Sequence, residues 1–416
     1  MPKLEFHSQR RCMYTFGALH MTSAPQDAHR VAACLRNGAW KPTNQSFSLK
    51  WMRRPPTLVE SPGCARLRQI SFRERFTGEE AQCGHLLHSS LCDFHERCDF
   101  RERLSAGSHP LAIFLLGDSL SANIYWALRN ALRANPKHLA GIRLVGSGKL
   151  AMIPPDVEAV LRIIDSLPFP RDARPVLLVG PGNWYNLQTS HCNPALCANE
   201  QQQNQALHAL NDTHPQNTKH LYRQTYEWSQ YDYARTAAGL NTPREFVRDT
   251  AVLLDALQTW RNRNPAAIVA WFEAPPQHFK STLGSERTGC TLSQRPFLRN
   301  PEEEQRPLPM EVLGLCFTEG GANVGNGTRL ADCAADSAVM DWRNKLALPL
   351  VRQHDLPVIA LAAGLRHRGD LHYGSECIYG PCMGDCTHWC EASVASVHLS
   401  TAVFSTLAAM VLPPSY

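Results

Sequence analysis

The chain has no compact run of basic residues and no ladder of aromatics beside one. Over 416 residues the net charge is only +5, so nothing favours a nucleic-acid partner. Arginine is dense between Arg53 and Arg103, which describes a solvated face better than a docking site for an acidic polymer. No internal repeat is visible. We expect no membrane span, because no stretch reads as the ~18 consecutive apolar residues one needs. The opening "MPKLEFHSQRRCMYTFGALHM" lacks the apolar run of a signal peptide. Charged residues are sparse at 19%, against 44% hydrophobic. That balance supports a large buried core and excludes disordered and fibrous classes.

Cysteine is not scarce. There are 15, clustered as Cys64, Cys83, Cys92 and Cys98, then Cys192 and Cys197, then Cys377, Cys382, Cys386 and Cys390. Such usage implies an oxidising compartment with loops pinned by disulfides. The odd count leaves at least one thiol free or paired outside the chain, and Cys12 is the candidate. Three sequons agree, at Asn44, Asn211 and Asn326. Either the protein's natural start lies upstream of this sequence or the chain is not secreted. The cysteines favour the first, so the expected location is the secretory pathway, in the Golgi lumen or outside the cell.

At roughly 150 residues per domain the length allows two or three domains, or one large α/β domain with appendages. Residues 1–110 are rich in Cys, Arg, Pro and Ser and show no clear period. We expect 1–33 to lack structure and 34–110 to form a disulfide-tied N-terminal region. From 111 to 416 short apolar runs alternate with amphipathic stretches. Residues 111–116, 142–146, 175–180, 267–272 and 357–361 read as buried strands. Between them, Leu120, Ile124, Leu128 and Leu132 share one helix face. Val157, Val160, Leu161 and Ile164 share another, with Asp156 as N-cap. Thr242, Pro243 and Glu245 spell a capping box with proline at the first helical position. A mostly apolar helix closes the chain. Long insertions fall near 189–220 and 281–330. Five buried strands separated by helices predict a parallel sheet covered on both faces, with ligands beyond the carboxyl ends of the strands.

Those strand ends carry chemistry. "GDSLS" (117–121) puts Ser119 in a strand-to-helix turn, where the helix N-terminus favours developing negative charge. A serine hydroxyl needs a base to take its proton. "MGDCTHWCEA" (383–392) offers His388, with Asp385 three residues before it; on a helical turn the two would share a face. Together they fit the logic of nucleophile, base and orienter. Ser119 N–H, a glycine of the second strand (Gly146 or Gly148) and the Asn183 side chain are candidate donors to an oxyanion. A plain N-cap serine and a turn asparagine are the blander alternatives. Zinc held by Cys377, Cys382, Cys386, His388 and Cys390 is the competing reading. Its spacings do not match paired knuckles, and no metal is expected.

These blocks resemble the PC-esterase family, most closely the trichome birefringence-like polysaccharide O-acetyltransferases. The resemblance rests on "GDSLS" with Asn123 after it, "GNWY" at 182–185 and "PQHF" at 276–279 followed by Cys290. It rests further on Arg368, Asp370 and His372, and on "DCTHWC" at 385–390. A weaker echo is "CLRNGAW" at 34–40. It covers about 111–405 and implies an SGNH-hydrolase-like three-layer sandwich with the triad Ser119, Asp385 and His388. It also implies that Cys386 and Cys390 bridge to Cys290, Cys316 or Cys333. The sequence departs from the family at Ala122, where the family has arginine, and at Glu273, Ala274 and Pro275. It departs again after Cys390, where "EASVASVHLS" replaces Leu-Pro-Gly.

The implied activity is serine-dependent acyl transfer, of acetyl by expectation, to hydroxyls of a polysaccharide or glycan acceptor. An acyl donor such as acetyl-CoA would be co-substrate, with no bound cofactor. An esterase with the same triad is the first alternative. A non-catalytic carbohydrate-binding or cell-surface protein is the second. Asn123, Trp184, Tyr185, His278, Arg368, Asp370, His372 and Trp389 are the candidate substrate contacts, although histidine and tryptophan are as often core residues.

Overall fold

The structure, a computed structural model, describes residues 24–37, 39–48, 71–77, 110–134, 141–150, 152–187, 235, 239, 241–279, 290–298, 301–322, 324–374, 385–391 and 393–411. In chain order the elements are α1 (Ala24–Arg36), β1 (Ala39–Ser48), β2 (Ser71–Thr77), β3 (Leu111–Gly117), α2 (Ser119–Ala134), β4 (Ile142–Lys149), α3 (Val157–Asp165), β5 (Arg174–Gly180), α4 (Pro243–Arg263) and β6 (Ile268–Phe272). Then come α5 (Met310–Leu313), α6 (Trp342–Gln353), β7 (Val358–Ile359), α7 (Ala362–Leu365), β8 (His372–Gly374), β9 (Asp385–Trp389) and α8 (Val394–Val411). Among the described residues lie an antiparallel β1–β2 pair, an antiparallel β8–β9 pair and a five-stranded parallel sheet.

The sheet runs β4-β3-β5-β6-β7. Strand β3, the first of the five in sequence, therefore lies inside, and the chain reverses direction across the sheet between β3 and β5. In this doubly wound order ligands bind in the crevice at that reversal, outside the carboxyl ends of the strands.

Alternation along the strands divides the core into two layers. Leu111, Ile113, Leu115, Val176, Leu178 and Ala270 face α1, α2 and α8. Phe114, Leu116, Leu177, Val179, Val269 and Trp271 face α3, α4 and α6. Each fully buried Leu, Ile or Phe contributes about 1.5–3 kcal/mol to this packing. Asp156 caps α3 as its sequence predicts, accepting from Ala159 N at 3.0 Å. The box expected at α4 does not form, because the Thr242 hydroxyl donates to the Glu245 carboxylate instead of accepting a main-chain N–H.

Three other expectations change. Residues 24–36 are helical, and Val31, Ala32 and Leu35 belong to the main core, so structure begins before residue 34. Strand β7 is two residues long, shorter than the 357–361 run suggests. Helix α8 has mean hydropathy 1.6 over 18 residues, long and apolar enough to cross a membrane, but 78% of it is buried inside the protein. A helix apolar all round is what a core position between α1, α2 and β7 demands.

Glu273, one of the departures from the family pattern, sits at the end of β6 and is 3% exposed. Its carboxylate meets Arg36 Nε at 2.8 Å and accepts from Leu361 N and Ala362 N, both at 3.1 Å. It joins α1 to α7 and does not shape a rim. Ala122 is exposed.

Cys290–Cys386 and Cys316–Cys333 are disulfides. The first closes a span of 96 residues, and in the chain-entropy picture a loop of that length stabilises by about 4–5 kcal/mol. Cys390 is also disulfide-bonded. All three cysteines of the 290–333 insertion are taken, so the expected bridge from Cys390 into that insertion is not made. Cys34 is disulfide-bonded too. Asn326 is exposed in a turn, as a glycosylation acceptor must be. Cys12, Cys64, Cys83, Cys92, Cys98, Cys192, Cys197, Cys377, Cys382, Asn211 and the 189–220 insertion lie outside the described residues. So does the side chain of Asn44.

Candidate active site

Strand β3 ends at Gly117, directly opposite Gly180 at the end of β5. A Cβ on Gly117 would stand 2.8 Å from Gly180 O, and one on Gly180 would stand 2.3 Å from the Phe272 ring. Only glycine lets the strands approach this closely just before Ser119. The chain then turns at Asp118 into α2, leaving Ser119 as the first helical residue.

Asp118 secures that turn and is 2% exposed. Its Oδ1 accepts from Leu120 N at 2.9 Å, and its Oδ2 accepts from Gly182 N at 3.1 Å and Asn183 N at 2.8 Å. One carboxylate thus caps α2 and binds it to the turn after β5. Burial raises the Asp118 carboxyl above its ordinary value, against the main-chain donors and the charges of Arg343 and His388.

Strand β9 supplies the candidate base and orienter. His388 Nε2 lies 2.6 Å from Ser119 Oγ, and His388 Nδ1 lies 2.8 Å from Asp385 Oδ2. With Asp385 ionised, Nδ1 carries the ring proton and Nε2 offers its lone pair to the serine hydroxyl. The pair sits in a strand, not on the helical turn expected. His372 pairs with Trp389 and Gly374 with Asp385. Between these pairs β8 has one residue and β9 has three, Cys386, Thr387 and His388. The extra residues bulge out of the ladder, and Asp385 Oδ1 gathers them by accepting from Thr387 N at 3.1 Å and His388 N at 3.0 Å. This local carboxylate-to-amide turn, not helical spacing, brings residue 385 against residue 388. The Cys290–Cys386 bond holds the bulge from outside.

Burial alone would lower the His388 imidazole; the charges of Asp385, Asp118 and Glu391 outweigh it, and the net shift is upward. Burial alone would raise Asp385, but the His388 charge and three hydrogen bonds carry it below the ordinary carboxylate value. The two shifts agree in describing an ion pair that strengthens when His388 takes a proton.

The oxyanion candidates divide. Ser119 N–H lies at the helix N-terminus, among the amides without intrahelical partners. Gly148 pairs with Leu116 near the end of β3, whereas Gly146 pairs with Phe114 in the body of the sheet; Gly148 is the nearer to the turn. Asn183 turns its side-chain nitrogen onto Asp118 Oδ1 at 3.2 Å, so an oxyanion would be served by its second amide hydrogen.

Several residues expected at a sugar-binding rim are instead interior. Tyr185 is fully buried; its hydroxyl donates to Asp249 at 2.8 Å and accepts from Ile153 N at 3.1 Å. Asn123 is buried and clamps the Trp389 peptide, accepting Trp389 N–H at 3.2 Å and donating to Trp389 O at 3.3 Å. Trp389 is buried and stacks on His372 at 3.9 Å between ring centres. His278 and His372 are buried and touch each other at 2.7 Å. His372 reaches His388 O at 2.9 Å and His278 reaches Arg366 O at 2.8 Å. Burial drives His278 down to about 4 and His372 down to about 3. Arg368 and Asp370 pair with each other at 2.9 Å. Trp184 is half-buried against the α4 and α6 core, and is the one aromatic of the expected set left at the edge.

Cys386 is bonded to Cys290 and both ring nitrogens of His388 are engaged. The zinc arrangement is therefore not the one found.

Two supporting residues, Arg343 and Gln277, were not among the candidates. Arg343 of α6 donates to Tyr185 O at 2.6 Å, Asn183 O at 3.3 Å and Gln277 Oε1 at 3.1 Å. Gln277 in turn donates to Thr387 Oγ1 at 3.0 Å. This chain runs from the turn after β5, past the end of β6, to the residue beside His388. A search of family models finds no match for the chain, and no curated protein matches it.

Proposed function

We propose that the protein is a serine acyltransferase of the SGNH type, transferring an acyl group, acetyl by preference, to a glycan hydroxyl through an acyl-enzyme. The reading rests on one observation, the hydrogen-bonded relay Ser119–His388–Asp385 at the sheet's reversal point. Ser119 Oγ attacks the acyl carbon while its proton passes to His388 Nε2. The C–O or C–S bond to the donor breaks, and the leaving group takes that proton; with acetyl-CoA it departs as the thiol. The acceptor hydroxyl then gives its proton to His388 and attacks the acyl carbon. Ser119 leaves and recovers a proton. Asp385 stays ionised throughout and steadies the imidazolium. The disulfides accord with synthesis and work in the secretory pathway.

An alkyl fluorophosphonate followed by peptide mapping tests the nucleophile, and an adduct on Ser119 is expected. No adduct there favours a carbohydrate-binding protein on the same scaffold. Acetyl-labelled oligosaccharide or acetyl-CoA, supplied with and without excess unlabelled glycan, tests the transfer. Labelled glycan is expected, and free acetate alone would mean that water is the acceptor and the protein an esterase.

The base must be neutral to act, and His388 is held above the ordinary 6.5. kcat/KM should therefore climb with pH through a midpoint above 6.5. An initial-rate pH profile checks this, and a midpoint below that value contradicts the arrangement.

A further inference from the structure

Glu391 follows directly on the last cysteine of "DCTHWC" and is only 5% exposed. Its Oε1 accepts from the Tyr373 hydroxyl of β8 and from Asn123 Nδ2 of α2, the latter at 3.3 Å. Asn123 is the residue that clamps the Trp389 peptide next to His388. A single buried carboxylate thus ties together the helix that begins at Ser119, the strand that pairs with β9, and β9 itself. A glutamate is an expensive choice for a buried fastener, because burial disfavours its charged form. An amide would satisfy the same two donors. The charge therefore calls for a role of its own: Asn123 links Glu391 to the Trp389 main chain beside His388, and the Glu391 charge raises that imidazole.

The geometry points to Glu391 as a positioning residue of the acyl-transfer site, one that holds His388 against Ser119 and sets negative charge behind the imidazole as it becomes imidazolium. This deepens the serine acyl-enzyme reading and rests on it. The titratable groups facing Glu391 or the imidazole it serves are Tyr373 and His372 from β8, His388 and Asp385 from β9, and Asp118 from the nucleophile turn. From α2 the facing group is the uncharged Asn123, while the uncharged Ser393 and Ser396 donate to Cys390 O, one residue before Glu391. Burial raises the Glu391 carboxyl, against the Tyr373 hydrogen bond and the His388 charge that draw it down. Asp385 orients the ring directly, and the charges of Asp118 and Glu391 act on it in the same sense.

The test follows the rate at which an alkyl fluorophosphonate inactivates the protein, measured across the pH range in which His388 titrates. It requires no knowledge of the natural acceptor. Glu391→Gln keeps the acceptor for Tyr373 and Asn123 but removes the charge. Its rising limb should move to lower pH by roughly half a unit to one unit. Glu391→Asp keeps the charge and should retain the wild-type midpoint. A Gln variant that is slower at every pH with an unmoved midpoint would mean a fastener only, and would overturn the proposal. An Asp variant that titrates with the Gln variant would overturn it too. Should Glu391→Gln not fold, Tyr373→Phe removes one donor that holds Glu391 ionised and should move the limb the same way; an unmoved limb there also overturns it. Absence of any Ser119 adduct in the wild type would sink the serine reading itself, a distinguishable result.

Discussion

Ser119→Ala should lower kcat by about 10⁴–10⁶-fold while leaving KM nearly unchanged, because the lost group acts on the reacting bond and not on the resting complex. His388→Ala should cost about as much. The double variant should be no worse than either single one, since a relay missing one member has already stopped working. Asp385→Asn should fall within the same range, because an amide carbonyl holds the ring but does not steady its charge. Pre-steady-state release of donor product, followed in the four proteins, checks all of this. Strict additivity of the two single losses would show that Ser119 and His388 do not act on one proton, whatever their 2.6 Å separation.

A large effect on stability is expected at a buried ion pair behind the turn after β5. Arg235 and Asp249 are 1% and 0% exposed at their side chains and meet at 2.5 Å. Asp249 also accepts the Tyr185 hydroxyl and a bond from Arg248, whose own side chain is half-exposed. Asp249→Ala should destabilise the protein by about 3–5 kcal/mol, because it removes the carboxylate that pairs with a fully buried guanidinium. Arg248 can return to water, and Tyr185 keeps its bond from Ile153 N. The pair replaced together, Arg235→Met with Asp249→Leu, should recover most of the loss. Urea unfolding midpoints of the three proteins decide it. A double variant as unstable as Asp249→Ala would mean that the carboxylate matters for Tyr185 more than for Arg235. Tyr185 lies two residues after Asn183, so this ion pair also steadies the turn that holds Asp118.

Much of this was readable in the sequence. Strand β3, α2 and α3 follow their apolar spacing because they are long and regular. Ser119 stood out as a hydroxyl at a strand end, and "DCTHWC" supplied its partners. The route by which Asp385 reaches His388 was not readable. Spacing of three suggests a helix, and only the β8 register reveals a bulge. Orientation was the other blind spot. His278, His372, Tyr185 and Trp389 have side chains that suit sugar binding, yet all four are interior, since residue type does not say whether a side chain in a strand or in the loop beyond it points inward. Asn123 failed the same way. Arg343 lies in a helix 224 residues downstream of Ser119 by number, with no local pattern to announce that its guanidinium closes the turn after β5. Helix α1 was missed because its thirteen residues are polar on average, and its short apolar face, Val31, Ala32 and Leu35, shows its role only when packed into the main core. Glu391 did leave a trace, as a charged residue where the resembled family has leucine.

The touching rings of His278 and His372 impose an arithmetic of their own. Three contacts run in series, from the Arg366 carbonyl through two imidazoles to the His388 carbonyl. To satisfy all three takes three hydrogens, and two neutral rings carry two. Burial, which holds these rings down to about 4 and about 3, opposes the third. At neutral pH every tautomer of the pair therefore leaves at least one of the three contacts, in the middle of the row or at one of its ends, without a hydrogen to share. One of those ends is the main-chain oxygen of His388, the ring that bonds Ser119.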